Sequence, residues 1–87
     1  MHEASLMNDL MHRIESIARD NHASRVIGVS VWLGALSHMS KDHFIDHFEQ
    51  ASAGTIAEGA HLDITVSNET GHANAQDLIV QSVEVED

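Results

Sequence analysis

The first three residues, Met1, His2 and Glu3, bring together nitrogen atoms that could hold a metal ion. The free α-amine and the His2 imidazole can chelate one ion, and the amide between them can join when the metal displaces its proton. The Glu3 amide offers a fourth nitrogen. Ni(II) and Cu(II) favour such square-planar nitrogen sites, whereas Zn(II) prefers a tetrahedron. The alternative is an adventitious site, of the kind that any chain beginning Met-His would have.

A second group of candidate ligands lies in the segment HMSKDHFIDHFE, which contains His38, His43 and His47. Histidines four positions apart lie on one face of a helix, so His43 and His47 could clamp a metal. His38 precedes this helix and could fold back toward the pair, and Asp42 and Asp46 are nearby. The alternative is a solvated polar face with no metal.

The composition excludes several classes of chemistry. The chain has 87 residues, 43% of them hydrophobic, which predicts one small domain with a single core. It has no cysteine, which excludes disulfides, thiolate catalysis and cysteine-based zinc sites. Phosphate-binding Gly-rich loops and the GxSxG, HExxH and EF-hand patterns are absent from the sequence, so we predict no catalytic residues and no enzyme.

The charge balance bears on partners and location. Fourteen acidic residues against four basic ones give a net charge of −10, which disfavours nucleic acid and anionic membrane. The eight histidines point instead toward a metal. No stretch approaches the roughly 20 apolar residues of a membrane span, and no secretory signal is recognisable. We therefore expect a cytoplasmic protein whose mature N-terminus is the encoded one.

The elements that must position these residues follow from hydrophobic periodicity. Residues 4–22 show helical spacing, with Asn21 as a stop. Residues 26–33 have the composition of a strand, and Ser40 can cap a second helix that Gly54 ends. His61–Val66 and residues 78–85 alternate as strands, separated by the polar segment SNETGHANAQD. The expected core side chains are those of the helix stripes and of one strand face: Leu6, Met7, Leu10, Met11, Ile14, Ile17, Ala18, Ile27, Val29, Val31, Leu33, Phe44, Ile45, Phe48, Ala51, Leu62, Ile64, Val66, Val83 and Val85.

The order α-β-α-β-β predicts an α+β fold. A strand–helix–strand unit crosses over right-handed and leaves its strands parallel, whereas the short last loop favours an antiparallel turn. The expected product is a small mixed three-stranded sheet with two helices packed on one face. Trp32, on the other face, would cover an edge or meet a partner. If the first helix runs back along the first strand, the terminus comes within reach of His38, His43 or His47.

Four stretches of the chain resemble the HypA/HybF family of nickel metallochaperones for hydrogenase and urease maturation. They are MHE at the start, VxVWLGALS in the first strand, HFxxHFEQAxAGTIAEGAxLxI in the middle and LxVxSVEVE at the end. The resemblance implies a nickel site in which Met1 supplies its amine, His2 its imidazole and amide, and Glu3 its amide. Members of that family usually carry a zinc domain held by two CxxC pairs between the second and third strands. Here NETGHANAQD stands there, so no structural zinc is expected, and the pH response and partner choice associated with that domain are in doubt.

The leading hypothesis is that residues 1–87 form a single nickel-binding domain that delivers Ni(II) to a nickel enzyme such as a nickel–iron hydrogenase. The resemblance implies an apo-hydrogenase large subunit or a GTPase co-chaperone as partner, with no nucleic acid and no membrane; a weak homodimer is a further alternative. A second hypothesis is a metal-free adaptor that docks on a maturation complex through its acidic surface. A third is a zinc or copper site on the second helix. The target enzyme and the oligomeric state stay open.

Overall fold

A computed structural model describes residues 3–86, with side chains from Leu6 onward. Its five elements are α1 (Glu3–Asp20), β1 (Arg25–Leu33), α2 (Lys41–Ser52), β2 (His61–Val66) and β3 (Leu78–Glu86). The predicted order α-β-α-β-β and the α+β class are confirmed. Neither helix within residues 3–86 is both long enough and apolar enough to span a membrane.

The three strands form one mixed sheet in the order β2-β1-β3. β2 runs parallel to β1, as the crossover rule predicts, and β3 runs antiparallel to β1. The loop 67–77 is therefore not a hairpin turn between neighbouring strands, because β1 lies between the two strands that it joins. The loop crosses the end of β1 and is held there by backbone hydrogen bonds from Gly34 N to Asp77 O (2.9 Å) and from Leu36 N to Ala75 O (2.7 Å).

The hydrophobic core lies between the two helices and one face of the sheet. Both helices contribute their apolar stripes, and the rings of Phe44 and Phe48 stack with centres 6.0 Å apart. The side chains that are 0% exposed include Ile14, Ala18, Val31 and Leu33 as well as Phe44. Burying these side chains makes the main favourable contribution to the free energy of folding of a domain of this size.

The predicted inward face of β1 is wrong at its beginning. Val26 is completely buried, whereas Ile27, which simple alternation places in the core, is 40% exposed. The register explains the change: Val26 pairs with Val85 and Gly28 with Glu84, so Ile27 is an extra residue in a β-bulge. Beyond the bulge the predicted alternation holds, with Val29, Val31 and Leu33 buried.

The end of β2 also departs from the prediction, because Val66 is 46% exposed. Leu62 and Ile64, which share its face, are half-buried and pack against the core. β2 is an edge strand and Val66 is its last residue, so less of the helical layer covers it. The second and third predicted strands otherwise match the observed ranges to within one residue.

Local signals for the helix ends are confirmed. Ser40 is the N-cap of α2, and its hydroxyl accepts a hydrogen bond from His43 N at 3.1 Å. Gly54, with φ of 79°, follows the C-cap residue. α1 ends at Asp20, and His22, at φ 52°, takes the left-handed position of the turn that closes it. Hydrogen bonds from Ala23 N to Ala18 O and from His22 N to Arg19 O complete this Schellman motif.

Candidate metal site

The structure describes one of the three predicted terminal ligands. Met1 and His2 fall outside the described residues, and Glu3 is the first residue of the helix. The arrangement of the three ligands therefore stays a prediction. The structure does describe the surroundings of the next two turns of α1. These surroundings determine which side chains are available near the start of the helix.

An open groove of about 650 Å³ runs beside the first turns of α1. Leu6, Asp9 and Arg13 of α1 line one side, and His38 lines another. The rest of the lining comes from Leu10 of α1, the segment between β1 and α2, the loop 67–77 and the start of β3; the residues of the last three are Leu36, Ser37, Asn74, Gln76, Asp77, Leu78, Ile79 and Val80. The first turns of α1 and His38 therefore line one groove, while the predicted reach of the terminus to His38, His43 or His47 stays a prediction.

The groove combines apolar and charged walls. Leu6 and Leu10 provide apolar surface, while Asp9 and Asp77 bring two carboxylates and Arg13 one guanidinium. The carboxylates of Asp9 and Asp77 attract metal cations and so raise the cation concentration in the groove. His38 adds a nitrogen donor to the same groove. Sequence patterns gave no sign of this groove, because it is built from four segments that meet only in the folded chain.

The two helical histidines do come together. The ring centres of His43 and His47 are 4.6 Å apart, and the ring planes are inclined by 49°. His43 is exposed and His47 is half-buried. Both lie on a helix whose first turn is fixed by the Ser40 cap, so their backbone separation is set by the helix itself.

His38 does not join this pair in a metal site. Among the residues that the structure describes, no group of three or more histidines, cysteines, aspartates or glutamates could hold one ion. His38 instead lines the groove beside α1, with its backbone in the left-handed region at φ 60°. The buried side chain of Met39, which follows it, ties this segment to the core. The idea that His38 folds back to complete a three-histidine site is therefore wrong.

One histidine contact could not be read from the sequence. The His72 ring centre lies 5.0 Å from that of Trp32, and His72 Nδ1 accepts a hydrogen bond from Asn74 N at 2.9 Å. Trp32 is half-buried on the sheet face opposite the helices, so the loop 67–77 partly covers it. His72 thus links the loop that connects β2 to β3 with Trp32 of β1.

Comparison with known proteins gives consistent matches. The protein-family model described as "Hydrogenase/urease nickel incorporation, metallochaperone, hypA" matches residues 1–85. A hydrogenase maturation factor HypA from Rhizobium leguminosarum bv. viciae is 41% identical over 64 residues, which cover 74% of this chain and 57% of that protein. The corresponding factor from Methylocella silvestris is 39% identical over 66 residues, or 76% of this chain and 58% of its own length. The chain thus spans little more than half the length of these relatives.

Two solved structures share the fold. The solution structure of the Ni metallochaperone HypA from Helicobacter pylori aligns with a TM-score of 0.81 and 22% identity, across 99% of this chain and 98% of that one. A second solution structure, of a HypA protein, aligns with a TM-score of 0.75 and 22% identity over 98% and 96% of the two chains. At this level of identity the likeness shows the fold alone.

Proposed function

Because the chain belongs to the HypA family, whose model it matches over residues 1–85, we propose that it is a nickel metallochaperone. It binds one Ni(II) as cargo through Met1, His2 and Glu3 and delivers the ion to a nickel enzyme such as a nickel–iron hydrogenase. The observation that carries the proposal is that the family match begins at residue 1, so that it includes all three terminal ligands.

The chemistry of these ligands suits delivery. The Met1 amine, the His2 amide and imidazole and the Glu3 amide form fused chelate rings that hold four nitrogens in a plane around Ni(II). A site at a chain end is open at its edge and on both faces, so a receiving site can displace the nitrogens one after another. The amine and the amides must lose protons to bind, so acidification releases the ion.

The folded part of the chain supports loading of this site. The first turns of α1 border the groove that contains Asp9 and His38, and the net charge of −10 draws cations toward the protein. We assign His38 as a source of an additional imidazole for the terminal nickel, because His38 lies in the groove that the start of α1 lines.

The proposed partners follow from the same role. Residues 1–87 act as a single nickel-binding domain in the cytoplasm, and the ion passes to an apo-hydrogenase large subunit or a GTPase co-chaperone. The acidic surface favours a protein partner with a basic docking face over nucleic acid or membrane. Structural zinc has no part in the proposal, since the sequence contains no cysteine to hold it.

Nickel titration of matched variants tests the proposal. Absorption spectroscopy alongside calorimetry should show one planar Ni(II) site per chain, with the yellow colour typical of such sites. His2→Ala and a one-residue extension before Met1 should both abolish this signal. His12→Ala is the control, because His12 is an exposed histidine on α1 outside the terminal ligand set. A planar Ni(II) signal that persists unchanged in both His2→Ala and the extended chain would overturn the terminal site, and absence of that signal in the unmodified chain would favour the metal-free adaptor.

A further inference from the structure

We propose that His43 and His47 form a second metal site, distinct from the terminal one, for a tetragonal divalent ion such as Cu(II) or Ni(II). The starting observation is the contact between the two rings, whose centres are 4.6 Å apart. The site does not depend on the proposed function, since it uses none of the terminal ligands.

The ring separation fits a metal held between two imidazoles. A ring centre lies about 1.2 Å from its nitrogens, so metal–nitrogen bonds of about 2.0–2.1 Å place each ring centre about 3.2 Å from the ion. Two centres 4.6 Å apart then subtend about 90° at the metal. Tetrahedral coordination, at about 109°, would require ring centres about 5.2 Å apart. The observed separation matches the right-angled positions of Cu(II) and Ni(II) once each ring turns a nitrogen toward the ion.

The helix holds the pair in place before any metal arrives. His43 lies in the first turn of α2, where its backbone N–H donates to the Ser40 cap. Phe44 and Phe48, each the next residue after one of the histidines, are 0% and 2% exposed and anchor the helix in the core. Only side-chain rotations remain to be ordered on binding, which keeps the entropy cost low.

The pair is open to solvent on its outer side. His43 is exposed and His47 half-buried, so an ion can reach the rings from solvent and retain water at its other positions. The described residues offer no third histidine or carboxylate at this site. The acidic chain concentrates divalent cations at its surface. Such a site exchanges its ion faster than the terminal chelate and provides a place where metal collects on the protein.

The test uses the full chain carrying His2→Ala, so that the terminal imidazole is absent throughout. Cu(II), and then Ni(II), is titrated calorimetrically into this background and into the same background with His43→Ala, His47→Ala or His12→Ala. His12 is the matched control, because it is an exposed helical histidine with no histidine three or four positions away. The electron paramagnetic resonance spectrum of bound Cu(II) counts the nitrogen ligands.

We expect one Cu(II) per chain with two imidazole nitrogens in the background protein and in the His12→Ala control. His43→Ala and His47→Ala should each weaken binding by at least about tenfold, since the second ligand acts through the chelate effect. Far-UV circular dichroism verifies folding, and the exposed His43 makes its variant informative even if His47→Ala unfolds. Equal affinity in His43→Ala and His12→Ala, or no stoichiometric binding in the background, would overturn the site. Neither result bears on the terminal site, because the His2 imidazole is absent from every protein in this experiment.

Discussion

Replacing Gly34 with alanine should destabilise the fold, because the loop 67–77 lies directly against this residue. A Cβ atom at position 34 would be 2.2 Å from Ala75 O, 2.6 Å from Ala75 C and 2.7 Å from Asn74 O. All three are backbone atoms, so no side-chain rotation can relieve the overlap. Ala75 O is also the acceptor of the 2.7 Å hydrogen bond from Leu36 N.

The expected magnitude follows from these contacts. Ordinary van der Waals contact begins near 3.4 Å, so Ala75 O must move by about 1 Å, which breaks its hydrogen bond to Leu36 N. Losing that bond costs about 0.5–1.5 kcal/mol, and overpacking adds about 1–3 kcal/mol. The free energy of unfolding should therefore fall by about 2–4 kcal/mol. With a urea m-value of about 1 kcal/mol/M, the unfolding midpoint falls by about 2 M or more.

Urea unfolding followed by circular dichroism and by fluorescence measures this change. Trp32 is the sole tryptophan and contacts His72 of the same loop, so its emission reports displacement of the loop as well as unfolding. Gly71→Ala is the control within the loop: nothing lies within 4 Å of its added Cβ, and we expect a change of at most about 1 kcal/mol, toward greater stability. Equal midpoints for Gly34→Ala and Gly71→Ala would show that the loop does not pack on the end of β1.

Three further outcomes are expected. Phe48→Ala should lower the free energy of unfolding by roughly 3–5 kcal/mol, measured by urea unfolding, because the ring is 2% exposed in the core; a loss below about 1 kcal/mol would contradict its core position. Val26→Ala should cost roughly 2 kcal/mol, whereas Ile27→Ala should stay within about 0.5 kcal/mol, and the reverse ranking would refute the bulge. Excess EDTA should leave the melting temperature unchanged, since regular apolar packing supplies the stability; unfolding by the chelator would show that a metal holds the fold together.

Much of the architecture could be predicted because its signals are local. The Ser40 cap and the apolar stripe of Phe44 and Phe48 are each encoded within a few residues, and so are the type and limits of α2. The spacing of four between His43 and His47 likewise guarantees that their rings share one helix face. The terminal ligands Met1, His2 and Glu3 could be proposed from their types alone, since adjacent residues chelate without help from a fold.

Features that depend on contacts between distant segments could not be predicted in this way. The inward face of β1 changes at Ile27 because its partner strand skips that residue, and strict alternation in one strand does not reveal a bulge made with another. The position of β1 between β2 and β3 depends on which pairings bury the most surface across the whole sheet. Position 34 requires glycine only because the loop 67–77 crosses there and leaves no room for a Cβ atom.

The candidate sites divide in the same manner. The sequence by itself determined which residues carry metal-binding chemistry, since residue type and short spacing are properties of the chain. Only the tertiary structure decided that His38 lies in the groove beside α1 while His43 and His47 form a separate pair. The physical reason is that packing in the core sets the path of the chain between His38 and His43, as the buried Met39 shows. Metal coordination does not set that path. Which segments lie next to each other depends on how the folded chain buries its apolar surface. A short stretch of sequence does not determine this.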